Sequence, residues 1–352
     1  MVNIRGVALH SAFFTIIAAS LGQTAVAQTI SDQQQCLLDR LQSADNSVTV
    51  QDIKDWCKAS LADEQAAQND EDVVEVDAVE DNPGALTKRI RSEQMTEFDP
   101  YVLTPHRRNY ILPVITSNNI NKDTYADLEG YQQNLEDYEA KFQLSFKVPF
   151  NKESLLFEQD KLFFGFTVQS WWQVYSDQIS KPFRETNYMP ELFYATPTGW
   201  HPFGTNTAIL IGAEHLSNGR SQPLSRSWNR FYAQFVVENG DWVFSLKPWI
   251  RLQEDAKTDP LQASGDDNPN IEDYVGNYEF STAYNDGDFE YIFRIRHAVE
   301  TGRGSAEINW TFPLWGKFTG YTSLFTGYGE SLIDYNHKQT RFGIGIALNN
   351  VL

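Results

Sequence analysis

The chain has 352 residues, of which 41% are hydrophobic and 14% aromatic. This composition exceeds what disordered chains carry, so the sequence predicts a folded protein with a sizeable core. The formal net charge of -19 disfavours nucleic-acid binding, which requires clustered lysine and arginine side chains.

Residues 1–27 have the layout of a secretory signal peptide. A positive charge at Arg5 precedes an apolar run from Ala12 to Leu21, and Ala25-Val26-Ala27 stands before Gln28. We therefore expect this segment to be removed on export. Beyond it no run of about 18 apolar residues occurs, which excludes a helical membrane span but leaves membrane-spanning β-strands open.

Residues 28–62 carry apolar side chains at helical spacing, among them Leu37 and Leu41 before Trp56. They predict a small helical hairpin. Export implies an oxidising compartment, which favours a disulfide between Cys36 and Cys57 over a metal site or two free thiols.

An acidic segment follows the predicted hairpin. Between Leu61 and Asn82 there are nine acidic residues and no basic one. Such runs are typical of solvated, flexible linkers, so the sequence predicts an acidic tether over residues 63–104. The sequence names no partner for either segment.

From residue 105 to Leu352 the apolar period changes from 3.6 to 2, which is the period of a β-strand. Turn signals such as Asn239-Gly240 and Asp286-Gly287 separate the alternating segments. These predicted strands are 110–116, 138–148, 162–172, 187–196, 209–217, 229–237, 242–252, 274–284, 289–295, 306–312, 317–329 and 342–348.

The strand count, about twelve, suits a closed antiparallel transmembrane β-barrel, which takes an even number. A soluble β-sandwich would also alternate on its outer faces. The barrel is favoured because one parity carries large apolar residues throughout, while the other carries charged residues: Glu279, Glu290, Arg294, Arg296 and Glu307. Tryptophans near strand ends fit interfacial girdles; these are Trp171, Trp172, Trp228, Trp242, Trp249, Trp310 and Trp315.

A histidine and a serine share one face of a predicted strand. His215 and Ser217 are two residues apart, on the parity of Ile209 and Ile211, and Asn229 lies on the apolar parity of the next strand. Unpaired polar groups on a bilayer-facing surface are costly, so a structural barrel has little reason to place them there. A histidine can take the hydroxyl proton of a serine that attacks a carbonyl, and a third group must orient its ring. We therefore predict catalysis by a Ser-His-Asn triad.

The block from His215 to Arg230, HLSNGRSQPLSRSWNR, resembles the signature of the outer-membrane phospholipase A family, calcium-dependent acylhydrolases of Gram-negative bacteria. Further blocks stand in the family's order; they are Ser170–Gln173, Pro182–Tyr188, Asp266–Pro269 and Gly327–Asn336. The resemblance covers about residue 105 to Leu352 and leaves out the hairpin and the tether. It implies a twelve-stranded barrel in the bacterial outer membrane, with the active site on its outer surface facing the outer leaflet.

The resemblance also implies residue roles. Ser217 would be the nucleophile, His215 the general base and then acid, and Asn229 the group that orients His215. Calcium would stabilise the oxyanion together with backbone N–H groups such as that of Gly219. The implied calcium ligands are the backbone carbonyl of Arg220, Ser225, Ser180 from a second protomer, and Asp267 at an alternative site.

A homodimer is therefore implied as the active form. Val168 lies two positions before the Ser170–Gln173 block, on the strand implied to form the dimer interface, where family members can carry glutamine. The valine removes one polar contact from the implied interface and leaves an apolar one. The last residue, Leu352, departs from the aromatic residue with which outer-membrane barrels commonly end.

The resemblance implies phospholipase A1 and A2 activity, which releases fatty acids from sn-1 and sn-2 esters of phospholipids and lysophospholipids. From the residues alone, two alternatives stay open. One is a catalytically silent porin-like or structural barrel, although long inward side chains such as Arg294 predict a filled interior. The other is an acylhydrolase that acts on another lipid, such as lipid A.

Overall fold

The computed structural model describes residues 83–259, 261–316 and 318–352. Every described residue belongs to the compact unit Asp81–Leu352. The predicted signal peptide, the hairpin with Cys36 and Cys57, and residues 63–82 of the tether lie outside the described residues.

Twelve antiparallel strands close into a barrel, as the sequence predicts. Each strand pairs with its neighbour in the chain, and the last pairs with the first, so the ring has no free edge. A two-residue strand, Thr104–Pro105 (β1), pairs with the barrel strand Tyr138–Pro149. The barrel strands are Tyr110–Ser117 (β2), Tyr138–Pro149 (β3), Lys161–Trp172 (β4), Phe183–Thr198 (β5), Asn206–Ser217 (β6), Ser227–Asn239 (β7), Trp242–Leu252 (β8), Tyr278–Asp286 (β9), Phe289–Ala298 (β10), Arg303–Pro313 (β11), Thr319–Gly327 (β12) and Gln339–Ala347 (β13).

The helices of the described chain are short. An α-helix at Ala85–Gln94 (α1) precedes the barrel, and a second one at Glu272–Val275 (α2) precedes β9. Single 3-10 turns lie at Asp123–Tyr125, Gln132–Asn134 and Pro202–Gly204. None of these helices is long and apolar enough to cross a bilayer.

The alternation in each strand separates an apolar outer face from a polar interior. In β3, Leu144 is 47% exposed on the outside, whereas its neighbours Gln143 and Ser145 are buried inside. Most buried charges of the interior are paired, which offsets part of the cost of removing them from water. Glu139, for example, lies 3.0 Å from Arg184 and 2.7 Å from Arg341.

Three of the tryptophans predicted for the girdles face the interior instead. Trp171, Trp228 and Trp249 are almost fully buried, because they lie on the inward parity of their strands. The Arg230 guanidinium lies over the rings of Trp228 and Trp249, at 4.4 and 4.6 Å from the ring centroids. Trp172, Trp242, Trp310 and Trp315 are exposed, in line with the prediction.

Two predicted segments also differ from the structure. The strand predicted at 274–284 begins only at Tyr278, because Val275 ends α2 and Gly276, at φ 72°, turns the chain. Within the predicted tether, residues 85–94 form α1.

Helix α1 lies at one end of the barrel. The Thr87 N–H donates to Glu238 Oε1 at 2.9 Å, and Glu93 Oε2 lies 2.7 Å from Lys147 Nζ. The turn from β7 to β8 and the chain terminus after β13 are at this end, since the Ala85 N–H donates to the Gly240 carbonyl and Arg89 donates to the Val351 carbonyl. The long loops that follow β2, β4, β6, β8 and β12 are at the opposite end.

Candidate functional site

His215 and Asn229 face each other across β6 and β7, near the end of the barrel that carries the long loops. They are directly opposed in the strand register, and His215 Nδ1 lies 2.8 Å from Asn229 Oδ1. The imidazole is exposed on the outer face and Asn229 is half-buried. If Nδ1 carries the proton, it donates to the amide oxygen and leaves Nε2 free to act as a base.

Ser217 is the last residue of β6 and lies two residues beyond His215 on the same face. Its register partners are Ser227 on β7 and Tyr188 on β5. In the part of the chain that the structure describes, no hydrogen bond joins the Ser217 hydroxyl to His215. Catalytic hydrogen bonds are often long without substrate, so the strand geometry is compatible with the predicted pair.

Asn229 has a second partner that sequence reasoning missed. Its Nδ2 donates to Glu254 Oε1 at 3.2 Å. The turn between Asn239 and Trp242 fixes the pairing of β7 with β8, which puts Leu252 opposite Asn229. Glu254 lies two residues after Leu252. The strand pairing set by the Asn239-Gly240 turn can be counted along the sequence, so it could have predicted that Glu254 lies near Asn229.

The loop after Ser217 is held by the Asn218 side chain, which is 4% exposed. Asn218 Oδ1 accepts from the Arg226 N–H at 2.9 Å, and its Nδ2 donates to the Leu224 carbonyl at 2.8 Å. Gly219 adopts φ 62°, a left-handed conformation that favours glycine, and a Cβ there would lie 3.3 Å from the Tyr188 ring. Within the described residues its N–H donates no hydrogen bond and is therefore available to an oxyanion.

Two of the predicted calcium ligands meet in the structure. Ser225 Oγ donates to Asp267 Oδ2 at 2.6 Å, and Gln222 Nε2 donates to Asp267 Oδ1 at 2.8 Å. The Lys257 ammonium also contacts this carboxylate. Burial alone would raise the pKa of Asp267, but the hydrogen bonds from Lys257, Ser225 and Gln222 lower it below its ordinary value. The carboxylate therefore stays anionic, as a cation ligand must be.

The Arg220 side chain turns away from Asp267. Its Nη2 donates to the Phe183 carbonyl at 2.9 Å, and its Nε lies 3.5 Å from the buried Glu185 carboxylate. Only the backbone carbonyl of Arg220 is left for a ligand. Ser180, in the loop between β4 and β5, is exposed and lies outside this cluster of contacts.

The donor set fits Ca²⁺, which prefers six to eight oxygen ligands. The residues offer the backbone carbonyl of Arg220 and the Ser225 hydroxyl and, for the alternative site, the Asp267 carboxylate, all of them oxygen donors. Among the described residues no group of three or more His, Cys, Asp or Glu side chains is placed to hold a metal ion. A site built mainly from hydroxyl and carbonyl oxygens would not contain such a group.

The outer surface around His215 and Asn229 is apolar. Ile211 is 58% exposed, Phe231 53% and Ile250 74%, and Leu252 stands opposite Asn229. These side chains extend from the site along the barrel wall, so acyl chains and the polar triad can meet at one surface.

A closed antiparallel barrel with an apolar outer band and a paired, charged interior defines the class of protein: a β-barrel of the bacterial outer membrane. Comparisons with known proteins agree. The model of the family Phospholipase A1 matches residues 86–348. Curated relatives named Phospholipase A1 are 38% identical in Escherichia coli K12, over 78% of this chain and 91% of the relative, and 37% identical in Klebsiella pneumoniae, over 78% and 92%.

Solved structures give the same result. The outer membrane phospholipase A of Escherichia coli superposes with a TM-score of 0.68 at 36% identity, covering 75% of this chain and 98% of that chain. The outer membrane phospholipase of Salmonella typhi, a dimer with bound calcium, superposes with a TM-score of 0.67 at 36% identity, covering 74% and 97%. The chain belongs to the phospholipase A1 family of outer-membrane phospholipases, which are lipid ester hydrolases.

Proposed function

We propose that this protein hydrolyses sn-1 and sn-2 acyl esters of phospholipids and lysophospholipids by a Ser217-His215-Asn229 triad, with calcium and as a homodimer. The main support is the 2.8 Å contact of His215 with Asn229, beside Ser217, on an apolar outer wall. Polar groups on such a surface are costly unless they are paired and used.

In the first half of the reaction, Ser217 Oγ attacks the acyl carbonyl while His215 Nε2 takes the hydroxyl proton. The Nδ1–H of the resulting imidazolium donates to Asn229 Oδ1, and the Gly219 N–H donates to the oxyanion. His215 then gives its proton to the leaving alcohol oxygen, which departs as the lysolipid.

In the second half, His215 takes a proton from water, which attacks the acyl-Ser217 ester. Collapse of this intermediate releases the fatty acid and returns the proton to Ser217. Because no group is consumed, the same residues serve each turnover.

Calcium would be held by the Arg220 carbonyl, the Ser225 hydroxyl and, at an alternative site, Asp267, and Ser180 of a second protomer would complete a site. The bound ion would add positive charge beside the developing oxyanion. The Salmonella typhi relative, a dimer with bound calcium, supports both calcium and dimer.

A seam at Val168 would bring a second protomer close to the site. Leu144, Val168, Tyr188 and Ser217 follow one another across the register of β3, β4, β5 and β6. Val168 is thus two strands from Ser217, roughly 10 Å. An apolar contact at this row would place a partner's surface beside the nucleophile.

The N-terminal extension is proposed to lie in the periplasm. Helix α1 and the C-terminal end of the chain lie at the barrel end opposite the triad. If the triad end faces the outer leaflet, this end faces the periplasm.

The test compares purified protein and Ser217→Ala in detergent, with phospholipid and either calcium or a chelator. We expect the wild type with calcium to release fatty acid. Ser217→Ala should reduce release at least about 1000-fold, because the nucleophile is removed, and chelation should reduce it at least about 100-fold, because charge stabilisation of the oxyanion is removed; each loss corresponds to several kcal/mol. Cross-linking of the same samples should give more dimer with calcium. Equal, slow release by wild type and Ser217→Ala would contradict the proposal and favour a catalytically silent barrel.

Mass spectrometry of the products distinguishes hydrolysis of phospholipid from hydrolysis of other acylated lipids.

A further inference from the structure

We propose that Glu254 is a positioning residue that orients the Asn229 amide and, through it, His215. This inference rests on the proposed hydrolysis by Ser217. It adds a fourth member to the predicted triad, in the order Glu254, Asn229, His215, Ser217.

The hydrogen-bond chemistry of Asn229 requires one particular orientation of its amide. Its amide offers an acceptor oxygen and a donor NH₂, and only the oxygen can accept from a protonated His215 Nδ1. The two amide orientations are related by a flip of the side chain. An ionised Glu254 only accepts hydrogen bonds, so at 3.2 Å from Asn229 Nδ2 it selects the orientation that turns Oδ1 to His215. His215 Nε2 is then the nitrogen that faces the serine.

The charge of Glu254 also acts on His215 through the Asn229 amide. Asn229 is neutral and stabilises a developing imidazolium less than an aspartate would. The Glu254 carboxylate supplies a negative charge one hydrogen bond further away and polarises the amide toward His215. Glu254 therefore supplies part of the imidazolium stabilisation that an aspartate would give at the third position of the triad, where this chain has Asn229.

The backbone on both sides of Glu254 is anchored. Leu252 ends β8 opposite Asn229, and Ala256 forms a bridge with Asp266. The Asp266 N–H donates to the Asp255 carbonyl at 2.8 Å, and Arg251 Nη2 donates to the Asp266 carboxylate at 2.6 Å. Arg251 and Asp266 are both buried. Glu254 thus lies between two fixed points, which lowers the entropy cost of holding its carboxylate on Asn229.

The test measures kcat and KM for Glu254→Gln, Glu254→Ala and Asp255→Asn in the full chain with calcium. Asp255→Asn is the matched control, because it removes the same charge from the next residue, whose exposed side chain has no hydrogen bond to Asn229. We expect both Glu254 substitutions to lower kcat about tenfold with KM within about twofold, because alanine removes the hydrogen bond to Asn229 and glutamine keeps an acceptor oxygen but removes its charge, whereas neither change affects lipid binding. Asp255→Asn should stay within about twofold of the wild type in both constants.

A double-mutant cycle separates positioning from a general effect of the loop. In the Asn229→Ala background, Glu254→Gln should change the residual kcat by less than about twofold, because its route to His215 is gone. The thermal midpoints of all variants should match that of the wild type within about 2 °C. Full kcat in Glu254→Gln, or an equal loss in the Asn229→Ala background or in Asp255→Asn, would overturn the inference. If Ser217→Ala is inactive while Glu254→Gln is fully active, the positioning role of Glu254 is excluded and the proposed function stands. If Ser217→Ala is active, the proposed function itself is excluded.

Discussion

Two neighbouring rungs of the β6–β7 ladder carry opposite kinds of polar pair. On the inner face Glu214 opposes Arg230, and on the outer face His215 opposes Asn229. Glu214 has no exposed side-chain surface and contacts Arg230, Arg107 Nη2 at 2.9 Å and Lys247 Nζ at 3.4 Å. The His215 side chain faces outward, and among the described residues its one hydrogen-bond partner is Asn229. One residue along the strand thus separates a buried network of paired charges from a pair of polar side chains on the outer wall.

The comparison shows how a barrel wall can hold a reactive group in place. The inner network pairs its buried charges with one another, which offsets part of the cost of removing them from water. The outer pair lies among apolar side chains such as Phe231 and Ile250, where a polar group is retained only if it is paired or used. Stability and chemistry are therefore assigned to alternate residues of the same two strands.

The largest expected effect is on the inner rung. Glu214→Ala should lower the free energy of unfolding by about 3 kcal/mol, because Arg230 and Lys247 lose their buried counter-charge. The activity of the folded fraction should change little. Unfolding by urea, followed through tryptophan fluorescence in detergent, measures the loss, and Glu153→Ala in an exposed loop is the control. A loss of activity at unchanged stability would break the division between the two faces.

A smaller effect is expected at Asp267, where Lys257 would compete with the proposed calcium ion for the carboxylate. Lys257→Gln should raise the affinity for calcium about fivefold, because a positive charge in contact with the ligand carboxylate is removed. Titration calorimetry in detergent measures the affinity without lipid. Lys338→Gln, which removes an exposed charge in the loop between β12 and β13, should leave it unchanged. Weaker binding by Lys257→Gln than by Lys338→Gln would exclude Asp267 as a cation ligand.

The smallest effect is expected from the chain that precedes α1. A protein without residues 28–82 should keep lipolysis within about twofold in vitro, because the backbone bonds of α1 to Glu238 and Gly240 lie outside the deleted segment. The assay is fatty-acid release by the purified, folded protein. If activity is lost although the barrel still folds, residues 28–82 act on the site and do more than tether.

The sequence predicts the barrel well, because alternation with period two is a local property of each strand. It also places His215, Ser217 and Asn229 on the outer wall, since parity decides the face. The girdle prediction misplaces Trp171, Trp228 and Trp249, because it rests on their aromatic rings near strand ends and not on parity; these rings fill the interior around charged side chains. Aromatic size does not report on which side of the wall a residue lies.

Contacts made by loops are the part that alternation cannot predict. Asn218 organises the loop after Ser217 through bonds to residues eight and six positions away. Lys257 reaches Asp267 across a loop of irregular backbone. Glu254 is the exception. The register of the β7–β8 hairpin pairs Asn229 with Leu252, and Glu254 follows two residues later.

The central claim is that Ser217 is the nucleophile, and covalent labelling tests it most directly. Purified protein with calcium is treated with an acyl-chain sulfonyl fluoride, and the labelled peptide is located by mass spectrometry. We expect one adduct on Ser217, absent in Ser217→Ala and slowed at least about tenfold in His215→Ala, because the base no longer takes the hydroxyl proton. An adduct on another residue, or equal labelling of Ser217→Ala, would contradict the account.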